Sequence, residues 1–262
     1  MNIQLSLTPS ESKRLIAKGV LEFLKDRIEN KKKIILTRGS TNAFILDEIY
    51  KHLGIEKEFN KADFITGEII PGENGLWANK KRIPEIFVKG TKITEIESKE
   101  QRLQLVSQMR FGDVLIKGGN AIDSNGTVGV LVGDPSGGTV GALYGIVKAK
   151  GIDLVIPIGL EKMIFGDINF ISDIAGQNAC KHSRGLACGL FPISGIVITE
   201  IEALELLFDV EAFQMGSGGL GDAQGSVALL IESDDKEELN KCWDFLSEEI
   251  FGEEKLEPNP ME

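Results

Sequence analysis

The sequence contains few cysteines and no long apolar run, and both absences exclude classes of protein. Its three cysteines, Cys180, Cys188 and Cys242, are too few and too odd in number for a disulfide framework. No apolar run approaches the length that spans a bilayer, and Met1–Leu7 is uncharged and too short for a signal peptide. We therefore expect a cytoplasmic protein that does not contact membranes.

Positive charge is also scarce. The 29 Lys and Arg residues are outnumbered by 40 Asp and Glu residues, which gives a formal net charge of −11. A phosphate backbone needs a basic surface, so this balance argues against nucleic acid as a partner. The chain is nevertheless long and apolar enough to bury a sizeable core, because 42% of its 262 residues are hydrophobic.

Histidines are few, and the common catalytic motifs are absent. With only His52 and His182 present, a Ser-His-Asp triad is disfavoured. The chain has no HExxH, GxSxG, GxxxxGK[ST] or GxGxxG motif, which argues against zinc proteases, serine hydrolases, P-loop enzymes and standard dinucleotide folds. Cys180, His182 and Cys188 lack paired CxxC spacing, so we expect no metal and no cofactor. A general acid or base is then a carboxylate or a lysine.

The most informative stretch combines strands with two glycine-rich loops. Asp113–Lys117 has the apolar content of a short buried strand, and Gly118–Asn120 forms a turn before a second strand at Thr127–Val132. The loop Gly133–Thr139 then leads into a helical pattern at Val140–Lys150. Glycines allow close backbone approach and helix starts favour negative charge, so the stretch suits an anionic small ligand. The same glycines are also compatible with two ordinary turns.

A second strand, turn and helix occur earlier in the chain. The apolar run Lys33–Thr37 is followed by Arg38–Asn42 and an amphipathic helix. Ser40 and Thr41 are therefore candidates either for capping this helix or for binding a phosphate.

The alternation of apolar runs with helical segments predicts a mostly parallel sheet with helices on both faces. In such a sheet the loops after the strands gather at one edge. We expect Arg38–Asn42, Lys117–Asn120 and Gly133–Thr139 to lie together at this edge. Phe165–Phe191 has no clear period, which predicts a flexible or partner-contacting loop.

Helix start signals and composition suggest how the chain is divided. Capping boxes begin helices at Thr8 and Thr199, each with a glutamate three residues later. We predict an α/β domain over residues 1–190, a small α+β unit over 191–252 and a frayed acidic tail over 253–262.

Three segments resemble one superfamily. Lys33–Thr41 is similar to the first strand, Gly-Ser-Thr turn and helix of ribose-5-phosphate isomerase. Asp113–Asp123, with Asn125–Val128 after it, resembles a segment shared by that isomerase, glucosamine-6-phosphate deaminase and CoA transferases. Ile156–Lys162 resembles the Gly-x-Glu-Lys ending of the lactate-utilisation branch, and initiation-factor-like isomerases belong to the same superfamily. The resemblance spans Lys33–Lys162 and implies a three-layer, Rossmann-like α/β fold and a homodimer.

The resemblance implies two kinds of reaction centre. Sugar-phosphate isomerases carry acids in the turn where this chain has Lys117-Gly118-Gly119-Asn120. CoA transferases use the glutamate of a Ser-Glu-Asn-Gly turn as nucleophile, and Gly72-Glu73-Asn74-Gly75 matches it in part.

From these patterns we predict an enzyme, of isomerase or CoA-transferase type, that acts on a phosphorylated or carboxylated small metabolite such as a sugar phosphate, an organic acid or an acyl-CoA. The alternative is a non-catalytic binding or sensing protein that uses the same pocket. Lys117 supplies charge stabilisation, and Glu73 or Asp123 is the acid or base. The predicted ligand-binding residues are Arg38, Gly39, Ser40, Thr41, Gly118, Gly119, Asn120, Gly137, Gly138 and Thr139.

Overall fold

A computed structural model describes residues 1–70 and 75–259, and it confirms the α/β class. The helices in these ranges are α1 (Pro9–Glu29), α2 (Ser40–His52), α3 (Lys99–Ser107), α4 (Gly138–Lys150), α5 (Ile168–Ile174), α6 (Glu200–Leu207) and α7 (Lys236–Glu249). The strands are β1 (Asn2–Leu7), β2 (Lys33–Leu36), β3 (Gly67–Ile70), β4 (Gly75–Ala78), β5 (Glu85–Lys89), β6 (Lys92–Ile96), β7 (Val114–Ile116), β8 (Ala121–Ile122), β9 (Val128–Val132), β10 (Asp153–Pro157), β11 (Gly189–Ile193), β12 (Ile196–Ile198), β13 (Glu211–Gly218) and β14 (Ser226–Glu232).

The largest sheet has six strands in the order β12-β10-β7-β2-β5-β6. The first four run parallel, with Val155 opposite Ile196 and Ile34 opposite Val114, while β5 and β6 join antiparallel. The sheet is therefore mixed. Its parallel part contains the apolar runs that the sequence marked at β2, β7 and β10.

Both faces of this sheet are buried. Alternate residues of a strand point to opposite faces, and in β2 the side chains of Ile34 and Leu36 pack in one cluster with α1, α2 and α6. Ile35 between them belongs to a second cluster, which contains side chains of α3 and α4. The parallel strands are thus covered on both sides, and their carboxyl ends open onto loops.

Two of the helix starts predicted from the sequence are confirmed, and the predicted cap of a third is wrong. Capping boxes begin α1 at Thr8 and α6 at Thr199, as predicted. In α2 the N-cap is Gly39, which has no side chain to cap the helix. The capping role considered for Ser40 and Thr41 is therefore wrong, because these are already the first two residues of the helix.

Two expectations about strands and loops are wrong in part. Strand β9 does not continue the large sheet but pairs antiparallel with β8 and β11 in a sheet of three strands. The segment Phe165–Phe191, expected to be a loop, contains α5 and the start of β11. Helix α5 is only seven residues long, too short for a helical period to stand out.

The C-terminal segment shares strands with the rest of the chain. β12 lies in the large sheet, and β14 pairs with β1 on one side and with β13 on the other. The division at 190/191 stays a prediction.

The tail is not frayed over the described residues 253–259. Arg14 donates to both carboxylate oxygens of Glu253, at 2.7 and 3.0 Å, and the Leu256 amide donates to Ser10 Oγ at 2.9 Å. These partners lie about 240 residues away in the sequence, where local patterns do not reveal them.

Over residues 1–70 and 75–259, no helix has both the length and the apolar character that crossing a bilayer requires.

The contact between α1 and α6 predicts an unusual response to alanine. A Cβ on Gly19 would lie 2.6 Å from Cα of Ala203, so the two backbones would have to separate. We expect Gly19→Ala to lower the free energy of unfolding by about 1–2 kcal/mol, because overpacking outweighs the gain in helix propensity. Gly145→Ala in α4 is the matched control: a Cβ there meets nothing within 4 Å. It should raise stability by about 0.5–1 kcal/mol in the same urea titration. Equal effects at the two positions would contradict this packing.

Candidate functional site

The candidate site lies at the carboxyl edge of the parallel strands. Arg38 follows β2 by two residues, Lys117 follows β7 directly, and Gly159 follows β10 by two residues. Ligands of open α/β sheets commonly bind at this edge, where loops from neighbouring strands converge. The pairing of β2 and β10 on either side of β7 brings these three loops together.

Lys117 occupies the centre of this edge. Its backbone amide donates to the carbonyl of Val155 at 3.0 Å, and its Nζ donates to the carbonyl of Gly118 at 2.8 Å. Burial lowers the pKa of Lys117 to about 8, with attraction from Glu85 opposing the shift and repulsion from Lys162 adding to it. A partly desolvated ammonium is poised to interact with an anion or to exchange a proton near neutral pH.

The start of α4 lies beside Lys117. Lys117 and Thr139 line a common cavity with Val140, Tyr144 and Ile193, and its volume is about 10 Å³. This is room for about one water molecule. Thr139 therefore lies near the side chain of Lys117, although β9 lies in a different sheet.

Gly118 and Asn42 come together next to Lys117. A Cβ on Gly118 would lie 3.9 Å from Asn42 Oδ1 and 3.4 Å from the carbonyl of Pro157. Asn42 is fully buried, and its Nδ2 donates to the carbonyl of Thr37 at 2.8 Å. Its Oδ1 has no hydrogen-bond partner. Asn42 was not among the predicted ligand-binding residues, although it closes the loop Arg38–Asn42; its buried acceptor is visible only in the structure.

Several of the other predicted binding groups are already engaged within the protein. The Gly39 amide donates to the carbonyl of Phe64, and the Gly137 amide donates to that of Asp134, both at 2.9 Å. Asn120 donates through its amide to Gly129 and accepts from Leu131 through Oδ1. These groups hold loops and strands in place.

Gly119 and Arg38 contact neighbouring parts of the fold. A Cβ on Gly119 would lie 2.2 Å from the side chain of Val128, so this position requires glycine for packing. Arg38 Nε donates to the carbonyl of Ile83 at 2.8 Å, and burial lowers the pKa of its guanidinium. Arg38 keeps its charge and adds to the positive character of the edge. For Ser40, Thr41 and Gly138, ligand binding stays a prediction.

Of the two carboxylates predicted as acid or base, Asp123 has a structural role. Asp123 is buried, and its carboxylate accepts hydrogen bonds from the amides of Asn125, Thr127 and Ile168 at 2.9–3.1 Å. This arrangement holds the turn between β8 and β9 and anchors the start of α5, so Asp123 takes no part in the site described here. Glu73 lies outside the described residues.

The cysteine and histidine segment shows no sign of a metal centre. Cys180 is exposed, and its Sγ donates to the carbonyl of His182 at 3.0 Å. Across the part of the chain that the structure describes, no three His, Cys, Asp or Glu side chains are grouped so as to hold a metal ion.

No protein-family model matches this chain, and no curated protein matches its sequence.

The lowered pKa of Lys117 predicts a pH-dependent effect of removing its charge. The unfolded chain holds this proton up to about pH 10.5, whereas the folded protein releases it near pH 8. Protonation of Lys117 therefore destabilises the fold below pH 8, and this cost disappears as the pH rises towards 10.5. We expect Lys117→Met to raise the free energy of unfolding at pH 7 by about 1–2 kcal/mol, after allowance for solvent screening.

The measurement is urea unfolding of both proteins between pH 6.5 and 10.5, a range that spans both pKa values. The difference between them should shrink through the upper half of this range. A loss of stability at pH 7, or a difference that does not change with pH, would contradict the assigned pKa.

Proposed function

We propose that the protein is an enzyme, of isomerase or CoA-transferase type, that binds a phosphorylated or carboxylated small metabolite at the carboxyl edge of its parallel strands. One observation carries the proposal: the partly desolvated Lys117 ammonium contacts Gly118, and Gly118 also approaches the unpartnered Oδ1 of Asn42. An anion at this position would relieve the cost of burying the charge.

The distribution of charge supports an anionic ligand. The whole chain carries a formal net charge of −11, yet Lys117 and Lys162 repel each other at this edge, and Arg38 follows the neighbouring strand β2. Glu85 attracts both Lys117 and Arg38. A local concentration of positive charge in an acidic protein favours anions at that place over the rest of the surface. The three-layer, Rossmann-like superfamily fold is part of the same proposal, and the helices on both faces of the sheet are compatible with it.

A non-catalytic binding or sensing role is the second candidate, and the position of Asp123 favours it. Its carboxylate accepts hydrogen bonds from three backbone amides and is therefore not free to act as the predicted acid or base. This alternative predicts tight binding of the same anion without its conversion, so NMR of a stabilising ligand during incubation with the protein separates the two roles.

The binding proposal predicts thermal stabilisation by anions. We expect at least one of inorganic phosphate, ribose 5-phosphate, lactate and acetyl-CoA to raise the melting temperature. At a hundredfold excess over Kd, the stabilisation is about 2.7 kcal/mol, or roughly 5–10 °C for a chain of this size. Lys117→Met should lose most of the shift, because the countercharge is gone.

Lys236→Met is the matched control, since it removes the same charge from the exposed first residue of α7. It should respond as the unaltered protein does. The proposal fails if no compound in this panel stabilises the protein, or if Lys117→Met keeps the full response.

A further inference from the structure

Five polar side chains form a second cluster at the same edge of the sheet. Ser12 and Lys13 belong to the first turns of α1, Glu161 and Lys162 to a short 3-10 helix (Leu160–Lys162) after β10, and Glu200 begins α6. We call these five residues the Glu161 cluster.

Glu200 has a structural role in this cluster. It is fully buried, and its two carboxylate oxygens accept hydrogen bonds from Ser12 Oγ at 2.6 Å and from the Leu160 amide at 2.9 Å. Burial, with repulsion from Glu161, raises the pKa of Glu200 to about 7. One oxygen therefore links α6 to α1, and the other links α6 to the turn that carries Glu161.

Glu161 lacks comparable partners. Its Oε1 lies 3.9 Å from Lys13 Nζ and 3.8 Å from Lys162 Nζ, too far for a hydrogen bond to either ammonium. Its Oε2 is buried and has no hydrogen-bond partner. Lys13 instead donates to the carbonyl of Pro9 at 2.9 Å. Buried carboxylate oxygens are normally satisfied, so this arrangement points to a function outside the fold itself.

Gly159 makes room for the unpartnered oxygen. A Cβ at this position would lie 1.8 Å from Glu161 Oε2, so the carboxylate occupies the space that a side chain would fill. The backbone angles of Gly159, φ −76° and ψ 146°, suit any residue. Glycine is thus needed here for the position of the carboxylate and not for the path of the chain.

The cluster adjoins the anion site proposed above. A Cβ on Gly118 would lie 3.4 Å from the carbonyl of Pro157, at the end of the strand that leads to Gly159 and Glu161. Lys162 is also near enough to both Lys117 and Lys13 for its charge to lower their pKa. The edge therefore contains positive groups together with two buried acceptors that lack donors, Asn42 Oδ1 and Glu161 Oε2. A simple anion satisfies only the positive groups, because it brings no donor. An anion that also carries hydroxyl groups satisfies both.

We propose that the Glu161 carboxylate contacts the ligand by accepting a hydrogen bond from a hydroxyl group of the bound anion, and that the substrate class is a hydroxylated phosphate or carboxylate. This inference rests on the proposed function, because it names a further residue and the substrate class of the same site.

Matched ligand pairs test the inference by isothermal titration. Glycerol 3-phosphate and n-propyl phosphate carry the same anionic group and differ in two hydroxyls; lactate and propionate form the corresponding carboxylate pair. In at least one pair the unaltered protein should bind the hydroxylated member about 10-fold more tightly or better, the range for a hydrogen bond to a charged group. The pair that shows the preference identifies the anionic group.

Two variants assign the preference to the carboxylate. Glu161→Gln removes its charge, and Gly159→Ala displaces it while keeping it, at the cost of moving only the end of a flexible side chain. Both should reduce the preference by at least about threefold, because Glu161→Gln leaves only a neutral acceptor and Gly159→Ala moves the charged one away. Glu248→Gln, on the exposed face of α7, is the matched control and should keep it.

The outcomes separate this inference from the proposed function. Binding of both members of each pair with equal affinity, or a preference that survives in Glu161→Gln and Gly159→Ala, overturns the role of Glu161 and leaves the anion site standing. Absence of binding by all four compounds overturns the inference, and the anion site fails as well only if the compounds of the thermal panel also leave the melting temperature unchanged.

Discussion

The parallel pairing of β7 between β2 and β10 is the constraint on which the rest of this structure depends. β7 has only three residues, all buried, and it bonds to a parallel neighbour on each side. Because neighbouring parallel strands end at the same edge, Lys117 emerges between the first turn of α2, which carries Asn42, and the loop that carries Gly159. This strand pairing sets the positions of the charge, the acceptors and the glycines of the site. Their own hydrogen bonds then adjust the side chains within that arrangement.

The same edge concentrates groups that do not favour folding. Lys117 and Lys13 are charged groups with pKa values lowered by burial, and Asn42 and Glu161 each bury an acceptor without a donor. Elsewhere the fold satisfies a comparable group closely, as Asp123 shows. Local violations of otherwise well-obeyed rules are characteristic of functional sites, where stability is lost in exchange for binding.

Local patterns predicted the elements that build this edge, because buried parallel strands read as short apolar runs and helix starts carry capping residues. They also placed Lys117 and Thr139 in one neighbourhood. They failed where a group's partner is distant in the chain. Asp123 is fixed partly by Ile168, 45 residues away, and Lys13 meets Glu161 only after α1 packs near the end of β10. No local spacing reveals such contacts, so the roles of individual polar groups required the structure.

The titration of Lys117 tests the central claim most directly. NMR of lysines labelled with ¹³C at Cε, with the Lys117→Met variant to assign the signal, reports the pKa of this ammonium alone. The free protein should show a pKa near 8, and the value should rise when glycerol 3-phosphate is added, because an anion stabilises the charged form. A pKa at the ordinary value of 10.5 that does not change with glycerol 3-phosphate would contradict the account.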